Sequence, residues 1–318
     1  MCQLTVQSWE ETALPTDSGP QNNSGQKRFG LSAALTTPFD ADGKIDVKRA
    51  LAHAKARLDS GCSCVTLFGT TGEGSSVGDA ERAALLDAFI AQGFPAANIV
   101  VGVMENSIAD AVLQSGDALR RGCKAILLAP PSYFKNLSDD GLFNWFSAVL
   151  KGLGSDARDI ILYNIPSVTA VELSVDLVGR LRVAFGAIIS GVKDSSGNWA
   201  YTEKLLAAHK DIAILIGDER DLAAGVRLGG QGAISGMANL FPDRLLRMIN
   251  DGQDDAELVD AVRKLLNYPV TPAVKALVAR HTGDQEWRRV RAPLVALNDA
   301  DFDAIGSVFA GLHMAKAA

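Results

Sequence analysis

A lysine closes an apolar, β-branched run in Gly186-Ala-Ile-Ile-Ser-Gly-Val-Lys-Asp-Ser-Ser-Gly197, where a charge is hard to accommodate. A run of this kind reads as a strand buried on both faces of a parallel sheet. Lys193, near its carboxyl end, must then find an anionic partner or give up its proton. Desolvation disfavours the ammonium, and the free amine it leaves can attack a ketone to form a Schiff base. The alternative is a snorkelling lysine whose stem packs while its head pairs with the adjacent Asp194.

Other polar groups follow further apolar runs. Gly69-Thr-Thr-Gly-Glu-Gly74 follows the second, and its glycines allow backbone N–H groups to converge on an anion ahead of a helix. The loop lacks a P-loop lysine, so a carboxylate suits it as well as a phosphate. Thr70 and Thr71 add hydroxyl donors. Read alone, it is equally a tight connection between strand and helix. Leu162-Tyr-Asn-Ile-Pro-Ser167 follows the fifth run and puts Tyr163 at the height of Lys193, where a phenol can donate and accept a proton in turn. A core tyrosine with a satisfied hydroxyl is the competing reading. Ala129-Pro-Pro-Ser-Tyr-Phe134 offers Tyr133 in a rigid turn. Gly217-Asp-Glu-Arg220 supplies Asp218, Glu219 and Arg220, either to meet substrate hydroxyls or, through Asp218, to cap the next helix.

The elements that must position these groups recur along the chain. Apolar runs cover Leu31 to Thr36, Cys64 to Phe68, Ile99 to Val103, Ala125 to Leu128, Asp159 to Tyr163, Ala187 to Val192, Ile212 to Ile216 and Gly232 to Ser235. Between them, Val47 to Ser60, Asp79 to Gln92, Ala109 to Arg121, Gly141 to Leu150, Ser174 to Val183, Asn198 to Ala208 and Glu219 to Leu228 carry helical spacing. Eight right-handed βαβ repeats predict an α/β fold closed as a (β/α)₈ barrel, with an open doubly wound sheet as the alternative. No G-x-G-x-x-G follows the first run, which disfavours the open sheet. In such a barrel, reactive groups gather at the carboxyl ends of the strands. Pro242 to Asn250, Asp254 to Asn267, Thr271 to Ala279 and Asp299 to Leu312 then read as helices without strands. The expected organisation is a flexible arm over 1–27, the barrel over 28–241 and a helical extension over 242–318.

Composition narrows the function classes. The 318 residues are 47% hydrophobic and 21% charged, with a net charge of -6, so they suit a soluble globular protein and offer no basic surface for nucleic acid. No apolar run would cross a bilayer and Met1 to Lys27 lacks a signal-peptide core, which predicts a cytoplasmic protein without a membrane partner. Cys2, Cys62, Cys64 and Cys123 read as thiols, buried for the most part. They and the scattered His53, His209, His281 and His313 show no metal-ligand spacing, so no metal site is expected.

Taken together, Gly69-Thr-Thr-Gly-Glu73, Tyr163-Asn-Ile-Pro-Ser167 and Gly191-Val-Lys-Asp-Ser-Ser-Gly197 resemble the three signatures of the dihydrodipicolinate synthase and N-acetylneuraminate lyase family of class I, pyruvate-type aldolases, in the same order. The likeness runs from Phe29 to Ala310 and includes Leu35-Thr-Thr-Pro-Phe39 and Arg291-Ala-Pro-Leu294. It implies a (β/α)₈ barrel with a carboxyl-terminal helical extension, commonly a homotetramer built as a dimer of dimers. It also implies Lys193 as the Schiff-base lysine, Tyr163 as general acid and base, and Gly69, Thr70 and Thr71 as the carboxylate loop. By the same likeness Tyr133, after a one-residue shift, completes the relay across a subunit interface, and Ile234 lines the pocket after the eighth strand. The expected partners are a small 2-oxo acid (pyruvate) and an aldehyde, with no cofactor beyond the covalent Lys193 imine.

One position departs from the pattern. Where dihydrodipicolinate synthases commonly carry an arginine after the Asn-Ile-Pro-Ser segment, this chain has Val168, which cannot grip a second substrate's carboxylate. Arg220 is the candidate replacement. The leading expectation is therefore a Schiff-base lyase on 2-oxo acids, acting in aldol cleavage and condensation or in dehydration of a 2-oxo-3-deoxy sugar acid, with Asp218, Glu219 and Ser235 meeting hydroxyls. The alternatives are condensation of pyruvate with aspartate semialdehyde (4-hydroxy-tetrahydrodipicolinate synthase) and a non-catalytic 2-oxo acid sensor. A sensor would need the anion loop but not the amine and its proton relay.

Overall fold

The computed structural model describes residues 28–312, so the arm expected over 1–27, Cys2 and His313 lie outside the described residues. Eight parallel strands close into a barrel in chain order: β1 (Gly30–Ala34), β2 (Cys64–Leu67), β3 (Ile99–Val103), β4 (Ala125–Leu128), β5 (Ile160–Asn164), β6 (Ile189–Asp194), β7 (Ala213–Ile216) and β8 (Gly232–Ser235), which pairs back onto β1. Each strand is apolar because both its faces are covered, one by helices and the other by the barrel interior. The outer layer is α1 (Val47–Asp59), α2 (Asp79–Ala91), α3 (Ile108–Arg120), α4 (Asp139–Leu153), the short α5 (Pro166–Thr169), α6 (Val175–Phe185), α7 (Trp199–Ala208) and α8 (Leu222–Arg227). After β8 come α9 (Pro242–Asp251), α10 (Ala256–Leu265), α11 (Val270–Thr282) and α12 (Asp299–Phe309).

Helix starts follow capping chemistry. The side chains of Asp46, Ser107, Ser138, Ser174 and Asn198 each accept a backbone N–H in the first turn of α1, α3, α4, α6 and α7. Pro272 sits in the first turn of α11, where its missing N–H costs no intrahelical bond. The core has two layers. The larger joins the outer faces of the strands to the helices, and the smaller fills the barrel with Val100, Leu127, Ile161, Tyr163, Leu215 and Ile234 among others.

Several expected boundaries move, three of them beside the candidate site. The sixth strand starts at Ile189 instead of Ala187, because Gly186–Ile188 forms a 3-10 turn. It continues through Lys193 and Asp194, which pair with Tyr163 and Asn164 on β5. The helix expected from Glu219 begins only at Leu222, and Asp218 does not cap it, since one of its carboxylate oxygens accepts the backbone N–H of Arg220 instead.

Candidate active site

Alternation along β6 separates two neighbouring charges. Successive strand residues face opposite sides, so Lys193 enters the barrel while Asp194 turns outward. The Asp194 carboxylate accepts hydrogen bonds from Asn164 Nδ2 (3.0 Å), the Ser196 N–H (3.0 Å) and Thr202 Oγ1 (2.6 Å). The adjacent pairing of Lys193 with Asp194 is thereby overturned. Lys193 is buried, and its Nζ donates to the Tyr163 phenol oxygen at 3.2 Å, 4.4 Å from the ring centroid. Tyr163 has a hydroxyl bonded on two sides, because Thr70 Oγ1 lies 3.3 Å from the same oxygen. A continuous path runs from amine to phenol to threonine hydroxyl, and each group in it can carry a proton.

The Thr70 loop is folded on itself. The N–H groups of Gly72 and Gly74 donate to the Gly69 carbonyl and that of Glu73 to the Thr70 carbonyl, each at 3.1 Å. These three donors are spent, so an incoming carboxylate would rely on Thr70 and Thr71 and not on a nest of glycine amides. A 3-10 turn, Gly74–Ser76, follows the loop, and α2 begins at Asp79, where the helical spacing placed its start. Gly74 is dictated by space, since a Cβ there would fall 1.9 Å from the Phe68 carbonyl oxygen. Thr71 faces the end of β8, with Oγ1 3.2 Å from where a Cβ on Gly236 would sit.

Other expected residues take various places. Asp218 chelates its own neighbour, with Arg220 Nε at 2.9 and 3.1 Å and Nη2 at 2.5 Å, so the Arg220 guanidinium is already occupied. Ser235 Oγ donates to Glu219 Oε1 at 2.5 Å and accepts the Met237 N–H at 3.0 Å. Burial pushes the Glu219 carboxyl above the usual carboxylate range. Ile234 lies within β8, fully buried inside the barrel in the layer that holds Tyr163, and not beyond the strand. Val168 is 59% exposed on α5. Tyr133 is 76% exposed, packs edge-to-face on Phe134 and makes no hydrogen bond to Tyr163 within the chain. Its loop is held by Asn106 Oδ1, which accepts the N–H groups of Ser132 and Tyr133.

Sequence reasoning missed the supports of the Thr70 loop. Lys275 Nζ on α11 donates to Glu73 Oε1 at 2.5 Å with both side chains wholly buried, and Glu73 Oε2 accepts the Arg291 N–H at 2.8 Å. A lysine flanked by apolar residues on both sides, in Pro272-Ala-Val-Lys-Ala-Leu-Val-Ala279, carried the same signal as Lys193. Among the described residues, no group of three or more His, Cys, Asp or Glu side chains is placed to hold a metal ion, and no helix is long and apolar enough to cross a membrane. Cys62, Cys64 and Cys123 are buried free thiols.

A closed parallel barrel with a lysine, a tyrosine and a threonine converging at the carboxyl ends of its strands fits the class of lysine-dependent aldolases. The Dihydrodipicolinate synthetase family profile matches residues 27–301, and the chain belongs to that family, whose members are class I aldolases and lyases. A dihydrodipicolinate synthase from Agrobacterium tumefaciens str. C58 superposes with a TM-score of 0.88 and 61% identity, over 90% of this chain and 99% of that one. A 4-hydroxy-tetrahydrodipicolinate synthase from Corynebacterium urealyticum is 33% identical over 74% of this chain and 77% of its own length. A DapA-like lyase from Chloroflexus aurantiacus is 31% identical over 88% of this chain and 95% of its own.

Proposed function

We propose that this lyase acts on a 2-oxo acid, pyruvate being the simplest, through an imine formed on Lys193. The observation that carries the reading is the path from Lys193 Nζ through the Tyr163 phenol to Thr70 Oγ1. The amine adds to the carbonyl carbon, and the alkoxide takes a proton from the Tyr163 phenol. Tyr163 recovers that proton from the nitrogen, and the carbinolamine loses water to give the imine. The imine takes up a proton on nitrogen and loses one from C3, becoming an enamine, which attacks an aldehyde carbon; the reverse sequence cleaves the same bond. Thr70 and Thr71 bind the 2-oxo acid carboxylate. No cofactor is needed beyond the imine itself.

For the second half of the substrate we favour a polyhydroxylated aldehyde or a 2-oxo-3-deoxy sugar acid. Asp218, Glu219 and Ser235 at the mouth of β7 and β8 are hydroxyl-binding groups, whereas Val168 offers no charge and Arg220 is held by Asp218. The likeness to the Agrobacterium tumefaciens protein favours a second reading, pyruvate with aspartate semialdehyde. By resemblance we also propose a cytoplasmic homotetramer, a dimer of dimers, in which the exposed Tyr133 completes the relay of a neighbouring subunit. Borohydride added with pyruvate tests the imine. The expected product is a reduced pyruvyl adduct on the Lys193 peptide with loss of activity. Unlabelled Lys193 under saturating pyruvate, with turnover preserved, overturns it.

A further inference from the structure

Helix α11, outside the barrel, reaches the loop that carries Thr70 and Thr71 at two points. Thr271 Oγ1 donates to the Thr70 carbonyl at 3.2 Å, and one turn further on Lys275 Nζ donates to Glu73 Oε1 at 2.5 Å. Residues 271 and 275 stand four apart on one helix face, so a single rigid element sets both contacts. Glu73 has a left-handed backbone (φ 55°), uncommon for a residue with a side chain, and its second carboxylate oxygen is fixed by the Arg291 N–H. The aromatic ring of Phe39 lies under both cations, with Lys275 Nζ and the Arg291 guanidinium 4.4 and 4.5 Å from its centroid.

We propose that Lys275 is a positioning residue for 2-oxo acid binding: through Glu73, and together with Thr271, it fixes the Thr70–Thr71 loop at the height where its hydroxyls meet the substrate carboxylate. This rests on the reading of Thr70 and Thr71 given above. Two wholly buried charges that served stability alone could be replaced by apolar groups of similar volume, because desolvation offsets most of their attraction. This pair lies at a functional loop, in a left-handed turn, with both carboxylate oxygens of Glu73 engaged by segments from beyond the barrel. Burial lowers the Lys275 pKa from its usual 10.5 to about 8, while Glu73 acts in the opposite sense. A lysine that held the loop only when charged would loosen it above that range.

The test uses pyruvate as the probe and the full chain. Calorimetric titration reads half-saturation whether or not an imine forms, and borohydride trapping reads the limiting rate of adduct formation on Lys193. Three variants are compared: Thr271→Val, Lys275→Met and the double Glu73→Gln/Lys275→Met, which leaves no lone buried charge. A positioning role raises half-saturating pyruvate about tenfold or more in Lys275→Met and at least about threefold in Thr271→Val, with the limiting trapping rate within about threefold of wild type. The double variant regains thermal stability over Lys275→Met yet keeps the raised half-saturation. Half-saturation within about twofold of wild type in the folded variants, or its return to wild type in the double, overturns the proposal. Wild-type enzyme that binds pyruvate without labelling Lys193 overturns the imine, and the titrations still decide the role of Lys275.

Discussion

Tyr163 and Lys193 face one another across the β5–β6 ladder, paired in register, and the amine donates to the phenol inside the barrel. Neither side chain reaches the helical layer. The two are presented to the same small volume by strands whose remaining inward residues are apolar, so the inner layer offers few other polar partners to either group.

Tyr163→Phe keeps the ring within the inner layer, which also holds Ile161 and Leu215, and deletes only the hydroxyl. The fold is expected to survive while turnover falls by roughly a hundredfold or more, as for loss of a general acid and base. Circular dichroism and steady-state rates on one preparation check this. Near wild-type turnover would make Tyr163 a core residue and break the relay.

Gly217 has no room for a side chain. A Cβ there would lie 2.0 Å from Ser195 Oγ, 2.8 Å from the Asp194 carbonyl oxygen and 3.1 Å from Lys193 Cε. Gly217→Ala is therefore expected to push the Lys193 stem aside and slow borohydride trapping by about tenfold to a hundredfold, since a displacement near 1 Å suffices for such losses. A trapping rate equal to that of wild type would show that the stem is free to move.

His53 supplies a pH dependence unrelated to catalysis. Burial, with Arg57 nearby, lowers its pKa from 6.5 to about 4, and its Nε2 lies 2.8 Å from Asn239 Oδ1. The folded protein holds it neutral where the unfolded chain protonates it, so its contribution is complete above pH 6.5. It is lost as pH falls from there through about 4, by up to about 3 kcal/mol. The stability gap between wild type and His53→Gln, from urea unfolding, should be wider at pH 7 than at pH 4.5. An equal gap at both would remove His53 from the account.

Much of the barrel was legible because strands covered on both faces are apolar throughout, and eight such runs alternate with helical spacing. The sixth was misplaced by two residues for the reason that made it informative. Lys193 and Asp194 break the apolar run, so hydropathy ends the strand where the ladder continues. The partnership of Tyr163 with Lys193 was readable from their matching places at strand ends. That of Glu73 with Lys275 was not, since it spans about two hundred residues and depends on how α11 packs against the barrel. Asp218 looked like a helix cap, but Arg220, two residues on, competes for its carboxylate and wins by presenting several donors at once.

Substrate choice is where the charges at the barrel mouth decide. A carboxylate on the second substrate gains about 1.5–3 kcal/mol from a charge-assisted, bidentate arginine contact, or roughly ten- to a hundredfold in selectivity. Val168 cannot supply it, and Arg220 would first have to leave Asp218, whose carboxylate accepts from both Nε and Nη2. Glycols and polyols meet no such deficit, because Asp218, Glu219 and Ser235 can exchange hydrogen bonds with them. Glu219, its carboxyl pushed above the usual carboxylate range by burial, accepts from Ser235 and has further acceptor capacity for a substrate hydroxyl. The ratio of kcat/KM for polyhydroxylated aldehydes over aspartate semialdehyde, with pyruvate as common partner, is therefore expected to favour the former by about tenfold or more. Val168→Arg should narrow that ratio by improving the semialdehyde. Efficient condensation of aspartate semialdehyde by the native enzyme, unaffected by Arg220→Ala, would show that another group grips its carboxylate, and would favour the synthase reading over the sugar-acid one.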